Sequence, residues 1–94
     1  MTASPSTVVR DKTVHLRFFA SVREVLGIAS ESWQTSAQTV GALRDELLAR
    51  EGAYAQALAR DQVLRLALNQ VLCSESAELP AGAEVAFFPP VTGG

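Results

Sequence analysis

One stretch of this sequence repeats apolar residues at helical spacing for long enough to cover a sheet, and it lies among segments that alternate. Behind a capping Thr39, the residues Val40, Leu43, Leu47 and Leu48 recur so that they line one face of a helix. Around it, Val14–Ala20, Glu31–Thr35, Val63–Asn69, Val71–Cys73 and Val85–Phe88 read as strands. A single main helix covers one face of such a sheet and leaves the other open, which predicts a two-layer α+β domain.

Local signals set the order of the elements. The first strand places Val14, Leu16 and Phe18 on one face and His15, Arg17 and Phe19 on the other. Ser21-Val22-Arg23-Glu24 has capping-box spacing and predicts a short helix to Leu26, stopped by Gly27 in the left-handed region. Glu31–Thr35 then pairs with the first strand as a hairpin around that helix. In the main helix Glu46 and Arg50 are spaced as an i,i+4 ion pair on the wet side, and Gly52 ends or bends it before a further turn over Tyr54–Leu58. Leu64, Leu66 and Leu68 point inward from the next strand, Asn69-Gln70 is a turn, and Leu79–Glu84 holds a tight turn built on Pro80 and Gly82. Three segments follow: an N-terminal extension over 1–13, a domain over 14–88 and an extended tail over 89–94.

Composition narrows the chemistry. With 94 residues, 48% of them apolar, and a net charge of −2, the chain folds as one domain. It carries one histidine (His15), one cysteine (Cys73), one tyrosine (Tyr54), one tryptophan (Trp33) and one lysine (Lys12). No disulfide forms within the chain, and a lone cysteine without a histidine cluster makes neither a zinc nor an iron–sulfur site. No resident cofactor or metal is expected. The extension shows no secretory pattern and no apolar run approaches the ~20 residues that span a bilayer, so a soluble, cytoplasmic protein with no membrane partner is expected. A pI near 5.2 and scattered arginines argue against nucleic acid as a partner.

The C-terminus departs from this plain pattern. Two prolines, Pro89 and Pro90, stiffen the exit from the last strand, and Val91, Thr92, Gly93 and Gly94 then taper to no side chain at all. Six residues extend about 20 Å, enough to carry a terminal carboxylate into a narrow channel of another protein. Glycine at 93 and 94 gives clearance there and leaves the carboxylate open to attack. A free carboxylate is a poor electrophile, and the chain has no phosphate-cradling loop, so an external ATP-dependent activating enzyme is implied.

The run Glu84–Gly94, with Phe87-Phe88-Pro89-Pro90 and the Gly-Gly end, resembles the C-terminal signature of the small, sulfur-carrying subunits of molybdopterin synthase. Leu16–Glu24 is similar to that family's opening strand and helix, and Leu68-Asn69-Gln70 to its central turn. The resemblance spans residues 14–94. It differs at Ala81-Gly82-Ala83-Glu84, where the family often carries an acidic pair. It implies the ubiquitin-like β-grasp fold, a mixed sheet of four to five strands with one main and one short helix. It also implies a mechanism: an E1-like enzyme uses ATP to adenylate Gly94, a sulfur donor converts it to a thiocarboxylate, and the large subunit of molybdopterin synthase admits the tail. There the sulfur passes to cyclic pyranopterin monophosphate in a heterotetramer of two small and two large subunits. Sulfur delivery for thiamine thiazole or tRNA thiolation, a ubiquitin-like modifier and a plain interaction module are the alternatives.

Docking requires a surface. Phe19 and Phe88 fall on the open face of the sheet, and two exposed phenylalanines together suggest a partner interface, unless a loop or the tail covers them as a second small core. Arg23 and Leu72 occupy positions similar to the family's contact residues; the resemblance implies that Pro89 and Pro90 also meet the partner and that Val91 and Thr92 line its channel. Cys73 is read as a core or edge residue, His15 as solvated, and Tyr54 and Trp33 as packing residues. The scarcity of lysine fits either protection of an activated terminus or an arginine-biased genome.

Overall fold

The structure, a computed structural model, describes residues 12–90 except Glu51. Eight elements follow in order: β1 (Lys12–Phe18), α1 (Ala20–Leu26), β2 (Ser30–Thr35), α2 (Val40–Leu48), α3 (Gly52–Ala57), β3 (Arg65–Leu68), β4 (Val71–Cys73) and β5 (Glu84–Phe88). The five strands form one mixed sheet in the order β2-β1-β5-β3-β4. β1 and β5 are parallel in the middle of it, and the remaining pairs are antiparallel. This is the β-grasp arrangement, with α2 laid across one face.

Alternation decides which face that is. Val14, Leu16 and Phe18 of β1, Val85 and Phe87 of β5 and Leu66 of β3 are all buried, against Val40, Leu43 and Leu47 of α2, Val22 of α1 and Leu58 after α3. Phe18 stacks on Phe87 at 6.0 Å between ring centroids and meets Tyr54 edge-on at 6.3 Å. Thr39 caps α2 as expected, its Oγ1 accepting from the Ala42 amide at 3.1 Å. Gly27 ends α1 with φ of 78°, its amide donating to the Arg23 carbonyl at 2.8 Å.

Several boundaries move. β1 begins at Lys12, two residues before the strand expected from Val14: Lys12 and Thr13 pair with Thr35 and Gln34, and the Thr13 carbonyl accepts from Gly82 N–H at 2.8 Å. The Ser21 capping box does not form. Phe19 is the N-cap of α1 and has no side-chain cap; its carbonyl accepts from Val22 and Arg23 at 3.1 and 3.3 Å, because the chain turns sharply at Ala20, whose φ is 52°. β3 starts at Arg65 and not at Val63, which is 71% exposed, since a turn closed by the Gln62 amide on the Ala59 carbonyl delays pairing. Arg50 ion-pairs with Glu31 at 3.1 Å and lies over the rings of Trp33 and Tyr54, while Glu46 accepts from Trp33 Nε1 and Thr35 Oγ1. The extra turn after Gly52 is present as α3, which makes two short helices beside the main one.

Candidate docking surface at the root of the tail

The strand that leads into the tail is the central one. Residues of β5 therefore sit between β1 and β3 on the open face as well as in the core, and whatever follows Phe88 leaves from the middle of the sheet's end. On that open face the registers place Arg17, Ala86, Ala67 and Leu72 in one row across four strands. Ala86 and Ala67 are each 7% exposed although they point away from α2, and they make a shallow apolar floor. Beyond the row, Arg65 lies opposite Phe88, and Phe19 extends the β1–β5 ladder by one bond, its amide donating to the Phe87 carbonyl at 3.2 Å.

That bond brings the two outward phenylalanines together. Phe19 and Phe88 meet edge to face at 6.4 Å and 89°, with Phe19 41% exposed, and the Arg17 guanidinium lies 5.5 Å from the Phe19 centroid. Phe88 is half-buried beside it. Leu72, on the edge strand, is 68% exposed on the same face. Arg23 is exposed on α1, one turn beyond Phe19, to whose carbonyl its amide donates. Pro89 and Pro90 are half-buried, and Pro89 borders a small cleft with Val22, Val25, Val63 and Leu64. Val91, Thr92, Gly93 and Gly94 lie outside the described residues.

Phe19, Phe88 and Leu72 are thus brought onto one face, with Arg23 on the adjoining helix. Ala67, Ala86, Arg17 and Arg65 join them on this face. Alternation within β1, β3 and β5 places all four outward, and none of these residue types signals a site by itself. Cys73 pairs with the buried Leu66 and packs against the core, and burial pushes its thiol above the ordinary range. Tyr54 is likewise raised, first by burial and then by its hydrogen bond to Glu31. Among the described residues no cluster of histidine, cysteine or acidic side chains is placed to hold a metal, and no helix is long and apolar enough to cross a membrane.

This geometry has known relatives. The family model described as "ThiS family" matches residues 16–94. The chain belongs to the ThiS family. As a member it is 44% identical, over 86% of its length and 99% of the relative's, to the molybdopterin synthase sulfur carrier subunit of Escherichia coli strain K12. Its fold is similar to that of SAMP1 from Haloferax volcanii, at a TM-score of 0.69 and 26% identity over 87% of this chain and 99% of the other. It is also similar to a chain in the complex of subunits 1 and 2 of the molybdopterin-converting factor from Helicobacter pylori 26695, at a TM-score of 0.59 and 28% identity over 87% and 99%. The ThiS-family match runs to Gly94 and so includes the Gly-Gly end that lies outside the described residues.

Proposed function

We propose that this chain is the sulfur carrier of molybdopterin synthesis, with the Gly94 carboxylate as the atom group that carries the sulfur. The observation that supports this most strongly is the 44% identity, over nearly the whole relative, to a chain named as that carrier. The open face supports it physically: Phe19, Phe88 and Leu72 with Arg17, Arg23 and Arg65 form an apolar patch with a cationic rim at the root of the tail, the composition expected of a protein-binding surface.

In the first step an E1-like enzyme brings a Gly94 carboxylate oxygen onto the α-phosphorus of ATP; the new P–O bond expels pyrophosphate and leaves an acyl-adenylate. A sulfide-level donor then attacks the carbonyl carbon, the C–O bond to AMP breaks, and a thiocarboxylate remains. Phe19, Arg23, Leu72 and Phe88 next dock on the large synthase subunit, while Pro89 and Pro90 direct Val91, Thr92, Gly93 and Gly94 into its active site. There the thiocarboxylate sulfur forms a C–S bond to cyclic pyranopterin monophosphate as a carbon–oxygen bond of that substrate breaks, and water then cleaves the resulting thioester, leaving the sulfur on the pterin and returning the Gly94 carboxylate. Two deliveries build the dithiolene, in a complex of two small and two large subunits. Acid and base groups come from the large subunit, which fits a chain that holds one histidine and one cysteine. The cytoplasm, where ATP is at hand, is the compartment of this cycle.

Intact-mass measurement after incubation with the activating enzyme, ATP and a sulfur source tests the reading. Replacement of one terminal oxygen by sulfur is expected, together with its loss on deleting Gly94. An unchanged mass contradicts sulfur carriage, and isopeptide adducts on other proteins would indicate a modifier instead. Reconstitution with the large subunit and the pyranopterin then decides the branch: dithiolene formation supports molybdopterin synthesis, and its absence points to thiamine or tRNA chemistry.

A further inference from the structure

β2 is an edge of the sheet, and the hydrogen-bond phase of β1 decides which of its backbone groups face outward. Odd-numbered residues of β1 bond toward β5, as where the His15 amide donates to the Ala83 carbonyl at 2.8 Å. Even-numbered ones bond toward β2, as where the Phe18 amide donates to the Ala29 carbonyl at 2.9 Å. Bonded pairs alternate along an antiparallel ladder, and the register runs from Lys12↔Thr35 to Arg17↔Ser30. Glu31, Trp33 and Thr35 therefore turn their backbone groups to β1, while Ser30, Ser32 and Gln34 turn theirs to the free edge. Among the described residues nothing bonds the outward amides and carbonyls of Ser30 and Ser32.

Sheet edges are ordinarily guarded against pairing by shortness, proline, lysine, a bulge or an inward charge. β4, the other edge, has three residues; β2 has six, with no proline or lysine and an unbroken register. Its one charged residue, Glu31, is already neutralised, since Arg50 pairs with it at 3.1 Å and Tyr54 donates to it. A net charge of −2 adds little repulsion between copies. The strand also matches itself. Two copies of β2 laid antiparallel about a two-fold axis at Ser32 bring Ser32 opposite Ser32, Ser30 opposite Gln34 and Glu31 opposite Trp33 of the second copy. Arg50 lies over its own Trp33, 4.9 Å from the ring centroid, so this register sets the second copy's guanidinium beside Glu31 and joins two ion pairs into one group of four charges. A slip toward Ser30 sets Glu31 against Glu31, and a slip toward Gln34 sets Trp33 against Trp33; either one shortens the ladder.

We propose that β2 is the interface of a symmetric dimer of this chain, centred on Ser32, in which the five strands of each copy join into one continuous sheet. The two-fold axis stands perpendicular to that sheet, so both open faces lie on the same side and Phe88 and Leu72 of each copy, on β5 and β4, stay outside the contact. The two β5 strands run in opposite directions. The contact is independent of what the chain carries at its C-terminus.

Sedimentation equilibrium of the full chain tests this, in a concentration series up to about 1 mM, since a contact of this size is weak. The average mass of the wild type is expected to rise with concentration from 10.0 kDa toward twice that value. Ser32→Pro removes only an outward N–H and leaves the β1 ladder its bonds, so this variant should keep the far-ultraviolet spectrum of the wild type and stay monomeric. Because Ser32 faces its own copy, Ser32→Lys and Ser32→Asp each set like charges opposite one another, and each should raise the dissociation constant about fivefold. An equimolar mixture of those two variants should return to the wild-type constant or below it, as lysine meets aspartate. A wild type that is monomeric throughout overturns the proposal and leaves the edge to a different occupant. A dimer that persists in folded Ser32→Pro, or Lys and Asp variants that fail to rescue one another, places the contact elsewhere and overturns it as well. Should Ser32→Pro lose its fold, the Lys and Asp variants decide alone.

Discussion

Asn69 and Gln70 join β3 to β4 with φ of 51° and 72°, so both central residues of this two-residue hairpin loop occupy the left-handed region. That is the mirror-image turn whose twist suits adjoining strands, and it favours Asn followed by Gly. Asn69 fits well, since its Oδ1 also accepts from the Glu84 amide at 2.9 Å. Gln70 has a Cβ where glycine is preferred and no side-chain bond of this kind. Gln70→Gly is therefore expected to stabilise the free protein by about 0.5–1 kcal/mol, read as a higher denaturant midpoint with an unchanged slope; a lower midpoint contradicts it. The turn itself was legible from two polar residues between apolar runs. Its handedness was not, nor was the positive φ of Ala20, because neither residue type announces a left-handed backbone.

Between elements, one ionic cluster holds what the apolar stripe leaves loose. Arg44 of α2 is 4% exposed; its guanidinium donates to the Leu58 and Ala59 carbonyls at 2.8 and 2.7 Å and to Glu75 at 2.9 Å, while Arg60 joins Glu75 to Asp45. The cluster ties α2 to the end of α3 and to the loop between β4 and β5. That loop passes so close to α2 that a Cβ at Gly41 would sit 2.9 Å from Glu75 Cβ. None of this shows in the sequence, where nothing sets Arg44 apart from the other arginines: its burial depends on carbonyls that only the folded chain presents. The Arg60 hydrogen bond, and then Arg44, outweigh burial and hold the Glu75 carboxyl below its ordinary 4.5. A depressed carboxyl stabilises the fold above its unfolded pKa and loses that contribution as pH falls through the folded value. Melting temperature should therefore decline below about pH 4.5 in the wild type, and Glu75→Gln should flatten part of that acid limb while lowering the plateau. An unaltered acid limb in the variant would assign the decline to other carboxylates.

For the molecule as a whole, the two sheet faces do different work. The covered face holds the core; the open one gathers Phe19, Phe88 and Leu72 around an alanine floor. Phe19→Ala and Phe88→Ala are expected to weaken binding to the large synthase subunit by about 2 kcal/mol each, measured calorimetrically, with free-protein stability changed by no more than about 1 kcal/mol. A large stability loss with unchanged binding would make these rings structural. The layer count and the outward placement of both phenylalanines were readable from alternation and from a single long helix. Strand order was not, since alternation gives faces and not neighbours; the parallel pairing of β1 with β5 joins the two ends of the domain and rests on contacts distant in sequence. That pairing has a mechanical consequence. A pull on the C-terminus runs along β5, which is held by ladders on both sides, so load must shear two sets of hydrogen bonds at once and cannot peel them one by one from an edge. Under the proposed function, a pull from a partner thus falls on the strand of the sheet that is held on both sides.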